Sequence, residues 1–286
     1  MNLPNSPSRS SRRSAFTLIE LLVVIVIVGV LAALGVPAIK GLTQTNKSAV
    51  ATRQLADDLK LARSKAISER TTVYVVFIPT NFTGLALSAP ATPTGADVAL
   101  LARNDRLISK LLNQKYTGYA LFAERRVGDQ PGRPSSKYIT SWRSLPEGSF
   151  VAEREFNPVA SGAVWSTLTI SERPLPYDFF PFPSDTADCP EFPLPYIAFN
   201  HLGQLVQPRY LNIPLNTQLD EIIHLAQGSI FYARNGGTGK LNNEAAGDAF
   251  QPADVLETPV GNSSNFWVRV NWLTGRAQID QPQIVD

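Results

Sequence analysis

Few side chains in this sequence are spaced to do chemistry together. His201 and His224 stand 22 residues apart in the intervening count, with no cysteine or carboxylate at metal-ligand spacing, so each reads as a surface histidine at a strand edge. The single Cys189 cannot form an internal disulfide and reads as a small, fairly buried side chain, the alternatives being a nucleophile or an intermolecular link. The run "GGTGKL" resembles a phosphate loop only in part. Arg234 occupies the position five before Gly239 where a glycine is required, and Leu241 replaces the Ser or Thr that would meet magnesium, so the run is a flexible turn. Asp178, Asp185, Asp188 and Glu191 lie close in sequence without the regular spacing of a calcium loop, and no Gly-x-Ser-x-Gly elbow is present. These observations argue against an enzyme, a cofactor and a metal site.

The residue that asks for a chemical explanation is Glu20. It sits inside "SAFTLIELLVVIVIVGVLAALGVPAI", Ser14 to Ile39, where an ionised carboxylate in hydrocarbon costs roughly 2 to 3 kcal/mol or more. Ahead of it, Arg9, Arg12 and Arg13 give the first 15 residues a charge of +3 without an acid. Those are three of the 26 basic residues, leaving 23 against 24 acidic ones, so no basic groove for nucleic acid is expected. A secretory signal peptide has an apolar core of only about 7 to 15 residues. Here Leu21 to Ile39 runs 19 residues without a charge, no small-x-small cleavage site closes it, and it continues through "GVPAIKGL" into helical sequence. As a helix, Phe16 to Ile39 is about 36 Å long, enough to span a bilayer with some tilt.

The stretch "RRSAFTLIELLVVIVIVGVLAALGVPAI" resembles the class III leader and transmembrane helix of type IV pilins and type II secretion pseudopilins. The resemblance implies that a membrane peptidase cuts between Ala15 and Phe16 on the cytoplasmic side and methylates the new Phe16 amine. Ala15 departs from the family, which usually has Gly there, although a small residue still fits a tight cleavage site. The resemblance also gives Glu20 a role: it pairs with the N-terminal amine of a neighbouring subunit in the fibre, which relieves the buried charge and fixes axial register. The plainer reading is that Glu20 reaches the headgroup zone from the helix end. Pro37 removes one helical hydrogen bond, so a kink or break is expected between Gly35 and Ile39. In the family this is the region that stretches or melts on entry into the fibre.

Beyond the apolar run, Leu55, Leu59, Ala62 and Ala66 repeat at helical spacing, with Asp57, Asp58, Lys60 and Lys65 for the wet side. The sequence then changes to "TTVYVVF", a strand beginning near Thr71. Strands are expected at Val73 to Ile78, Gly118 to Glu124, Tyr138 to Arg143, Ser149 to Glu155, Val164 to Ile170, Tyr196 to Asn200, Gly228 to Ala233 and Phe266 to Trp272. "LADDLKLARSKAI" before a strand, the phrase around Trp142 and Leu145, and the hairpins "YIAFNHLGQL" and "VRVNWLTGRAQI" are similar to H-type minor pseudopilins. A fainter likeness is to pilin-like proteins of the Verru_Chthon cassette. Insertions are expected at Ala89 to Gln114, Arg125 to Lys137 and Pro174 to Pro195. The last holds seven prolines in 22 residues and reads as an extended loop, self-packed or contacting a partner.

The expected architecture is α+β and pilin-like, a long N-terminal helix packed on an antiparallel β-rich domain. Residues 1–15 form a cytoplasmic leader, 16–39 a transmembrane and fibre-core helix, 40–70 an amphipathic helix and 71–286 the globular domain. The function this implies is that of a minor pilin or pseudopilin in a type II secretion pseudopilus or type IV pilus. It would be a single-pass protein of the bacterial inner membrane with its N-terminus cytoplasmic and its C-terminal domain external. Its partners would be prepilin peptidase, other pilin subunits and an inner-membrane assembly platform. The alternative is a membrane-tethered binding or enzymatic domain that uses such an anchor without polymerising.

Overall fold

A computed structural model describes residues 17–78, 110–126, 128–130, 132, 135–156, 173–186, 189, 191–206, 219–232, 254–261 and 266–280, with backbone alone at 32–47, 112 and 254. The chain divides into two compact units, Met1–Thr45 and Asn46–Asp286. The first contains the start of helix α1, Leu18–Glu69. The helix assignment runs through Pro37 without a break. The expected strand Val164 to Ile170, most of the insertion Ala89 to Gln114 and the "GGTGKL" turn lie outside the described residues.

In the second unit, the helical repeat read from the sequence is the buried one. Leu55, Leu59, Ala62 and Ala66 are inaccessible, and Ala51 and Ala56 extend the same stripe. The helix stops by backbone geometry rather than by a glycine or proline: Arg70 takes the left-handed conformation, φ 51°, and the Thr71 N–H reaches back to the Ala66 carbonyl at 3.2 Å.

The strands that follow are β1 Val73–Phe77, β2 Gly118–Ala123, β3 Lys137–Tyr138, β4 Arg143–Ser144, β5 Ser149–Val151, β6 Tyr177–Pro181, β7 Glu191–Phe199, β8 Glu221–Phe231, β9 Asp254–Glu257, β10 Phe266–Val270 and β11 Ala277–Asp280. One sheet runs β3-β2-β1-β7-β6, with β4 also on β2. The other runs β11-β10-β8-β5, with β9 also on β8, and every pairing is antiparallel. Strand β1 is apolar throughout because both its faces are covered. Val73, Val75 and Phe77 join the larger core with Leu55, Leu59, Tyr119, Phe150, Ile223 and Val268. Val76 joins a second core with Phe122, Phe180, Phe182 and Phe192.

That second core overturns the loop reading of the proline-rich segment. Pro174 to Pro195 contains β6 and the first half of β7. Tyr196 donates its N–H to the Pro176 carbonyl at 2.9 Å, so even-numbered residues of β7 face β6 with their donors. Pro193 and Pro195 therefore turn their missing donors the other way, beyond Tyr196, where pairing with β1 ends. Proline costs no ladder bond at such an edge. The outer side of β6 is also closed: Asp178 accepts the Phe179 N–H at 2.8 Å and Pro181 has no donor. Tyr138 to Arg143, expected as one strand, is split between β3 and β4. The stretch from Ser149 leaves the sheet after Val151 into a 3-10 turn, Glu153–Phe156.

Arg63 ties two turns to the helix. Its Nε donates to the carbonyls of Gly203, at 3.2 Å, and Thr274, at 2.7 Å. These turns belong to the two hairpin phrases singled out in the sequence. They meet where a Cβ on Gly275, φ 60°, would stand 1.9 Å from the Gly203 oxygen.

Candidate functional site

Ala15 and Phe16, expected at the cleavage point, lie outside the described residues. Description begins at Thr17, one turn ahead of Glu20, and the two residues close on each other. The Thr17 N–H and hydroxyl both donate to Glu20 Oε2, at 2.9 and 2.8 Å, and the Glu20 N–H donates to Thr17 Oγ1 at 3.3 Å. This is a reciprocal capping box, Thr-x-x-Glu, which satisfies donors that the first turn of a helix leaves open. It also places a negative charge at the positive end of the helix dipole. The sequence reading missed Thr17, although its Thr-x-x-Glu spacing before an apolar run is the signal for such a box.

Behind the cap the helix is apolar on every side and uncovered. From Leu18 to Leu31 the large hydrophobic side chains are between 48% exposed, at Val23, and 87% exposed, at Leu18. A helix hydrophobic all round is ordinarily buried in protein or lipid. Among the described residues no helix is long and apolar enough to cross a membrane. Along this run the described side chains stop at Leu31, while the sequence carries the apolar run on to Ile39.

The residues weighed for catalysis or metal binding do not converge. His201 is exposed in a turn, as expected of a surface histidine. His224 is not at the surface: it is 3% exposed within β8, and its Nδ1 lies 2.5 Å from Glu155 Oε1. Nothing in the sequence links these two, which are 69 residues apart. Cys189 is half-buried, with Ser184 Oγ at 3.1 Å and Thr186 Oγ1 at 3.2 Å. Asp178 caps Phe179, Asp185 accepts the Tyr138 N–H at 3.3 Å, and Asp188 lies outside the described residues. Among the described residues no three His, Cys, Asp or Glu side chains gather as a metal would require.

The N-terminal segment is thus where charge, capping and uncovered apolar surface coincide. A family model of the prokaryotic N-terminal methylation motif matches residues 10–36. That motif, a class III prepilin leader, supports a type IV pilin-like protein processed by prepilin peptidase. No curated protein and no solved structure matches the chain.

Proposed function

We propose that this chain is a minor pilin or pseudopilin, a structural subunit rather than an enzyme. Prepilin peptidase cuts between Ala15 and Phe16 and methylates the Phe16 amine. Residues 16–39 anchor the protein in the bacterial inner membrane with its N-terminus cytoplasmic, and the β-rich unit projects outside. An assembly platform then draws it into a type II secretion pseudopilus or type IV pilus beside other subunits, with Pro37 marking where the helix yields.

The observation that carries this reading is the leader motif at 10–36 leading directly into the capped, uncovered apolar helix that starts at Leu18. An all-apolar surface of that kind gains stability only against lipid or other apolar helices. The buried stripe Leu55 to Ala66, the strand that follows it and the two hairpins joined through Arg63 support the finer H-type likeness and the packing of the helix's second half on the sheets.

The capping box sharpens the test of Glu20, because two roles now compete for it. Glu20→Gln keeps a capping side chain but removes the charge, since Gln serves at this position of a capping box. Glu20→Leu removes both. If Glu20 pairs with a neighbour's amine, both variants insert in membranes, and both lose the crosslinks between cysteines placed along Leu21 to Val30 of adjacent subunits. Crosslinking of Glu20→Gln at the wild-type level would reduce Glu20 to a helix cap and remove the assembly role.

A further inference from the structure

Strand β5 ends one residue too soon for its neighbour. Val151 pairs with Leu225, and Ala152 still donates to the His224 carbonyl at 2.9 Å, but the chain then turns away through Glu153–Phe156. The His224 N–H would be left open. The Glu155 side chain replaces the missing ladder acceptor: its Oε1 takes that N–H at 3.2 Å and lies 2.5 Å from His224 Nδ1. The Glu155 carbonyl accepts the Leu175 N–H at 2.8 Å, which fastens the segment leading to β6 to the same point.

This junction is short of partners. Glu155 is 1% exposed, Glu221 8% and Arg173 5%. Among the described residues, Glu155 Oε2, Glu221 Oε1 and Arg173 Nε have no hydrogen-bond partner. The charged and titratable groups of the surrounding elements are few. The 3-10 turn supplies the exposed Glu153 and the half-exposed Arg154, whose Nε is 3.8 Å from Glu155 Oε1. The segment before β6 supplies Arg173. Strand β10 presents Trp267 and Val270 opposite His224 and Glu221, and its Arg269 is held by Asp220 at 2.7 Å. Strand β5 brings no titratable side chain, and the turn before β2 carries the buried Lys115.

A buried ion pair is favourable only when the remaining lone pairs and protons are also satisfied. A fully buried carboxylate with one oxygen unpartnered fails that condition, whereas the neutral acid avoids most of the cost. We propose that Glu155, set against an uncharged His224, and Glu221, three residues earlier on the same strand, are held as neutral acids. Together they form a proton-dependent latch that fastens the β5–β8 edge and the segment before β6, and that loosens when the two acids ionise.

The electrostatics agree in direction. Burial pushes the Glu155 carboxyl up to about 8, against smaller lowering by the His224 N–H and Arg154. Burial, and then the charge of Glu155, push Glu221 up to about 8 against a smaller lowering by the Arg173 guanidinium, and burial pulls His224 down to about 3. A carboxyl raised in the folded state contributes stability that is complete below its unfolded value and is lost as pH rises to the folded one. A histidine lowered in the folded state acts oppositely between about 3 and 6.5, so it offsets one acid there. From about 6.5 to 8 only the acids act, and the folding equilibrium falls about tenfold per pH unit for each.

The experiment is denaturant unfolding of the full chain in detergent micelles between pH 5 and 9, with infrared detection of protonated carboxylic acid and hydrogen exchange at the His224 and Leu175 amides. The latch requires a buried-acid band at pH 6.5 that is lost above pH 8, falling stability over that window, and faster exchange at both amides after correction for base catalysis. Glu155→Gln and Glu221→Gln each mimic the neutral acid; each should halve the pH slope, and together they should flatten it. Ionised carboxylates would instead give no acid band in wild type and stability constant or rising to pH 8, and would overturn the proposal. The wild-type band and the Glu221→Gln slope decide the matter even if Glu155→Gln does not fold.

Discussion

The Tyr119 hydroxyl of β2 donates to Asp58 Oδ2 of α1 at 2.6 Å, a polar bond buried between helix and sheet. Gln54, one turn earlier, donates to the same hydroxyl at 2.9 Å and to the Ser144 carbonyl at 3.0 Å, and Arg143 closes on Asp58 Oδ1. Burial first and the Asp58 hydrogen bond second raise the Tyr119 phenol well above its usual range, so it stays a donor. Apolar helix–sheet contacts alone tolerate sliding. These bonds fix one register.

Tyr119→Phe should therefore cost about 1 to 2 kcal/mol, since Asp58 keeps Arg143 and Gln54 keeps Ser144. Asp58→Ala should cost more, about 2 to 4 kcal/mol, because it leaves the buried Tyr119 O–H without its acceptor and Arg143 without its carboxylate, though the partial exposure of Arg143 limits the ionic share. Urea unfolding of the two single variants and the double variant gives the coupling. Additive losses would mean that the pair does not act as a unit.

The contact between the two turns ranks two glycines. Gly275→Ala drives a methyl into the Gly203 carbonyl, whereas Gly203→Ala, φ 77°, meets the flexible end of Ile67 at 2.7 Å. Both pay left-handed strain, of order 1 kcal/mol, and a Gly203 methyl also stands 3.2 Å from Arg63 Nε, but only the first drives into backbone and must part the turns. The Gly275 variant should have the lower unfolding midpoint; equal midpoints would contradict the packing.

Alternation along β6 sets Phe180 against Phe179. Phe180 packs edge-on to Tyr74 at 5.1 Å and Phe122 at 5.4 Å, while Phe179 is 64% exposed. Phe180→Ala should cost about 3 to 5 kcal/mol and Phe179→Ala within about 0.5. Similar losses at both would return this segment to an irregular loop.

What was legible in the sequence was what periodicity carries. Leu55 to Ala66 repeats at one helical face and is buried on it, and "TTVYVVF" forms a strand because β-branched and aromatic residues fill a position covered on both sides. The proline-rich segment is not legible from composition, because a proline is a lost donor only on a side of the strand that has a partner, and Pro193 and Pro195 face the side where pairing with β1 has ended. His224 is not legible for a different reason: a polar residue in a strand normally faces solvent, and Glu155 lies too far along the chain to signal the exception. At the N-terminus the motif is legible, and so is the Thr-x-x-Glu spacing that gives Glu20 its local partner three residues earlier.

The central claim is processing at Ala15–Phe16, and intact-mass analysis of the chain co-expressed with a prepilin peptidase tests it most directly. The account predicts a mature protein lacking 15 residues, carrying one added methyl group on the Phe16 amine and remaining in the membrane fraction. An unprocessed chain in the presence of an active peptidase, or a product cut beyond Pro37 and released as a soluble domain, would contradict it.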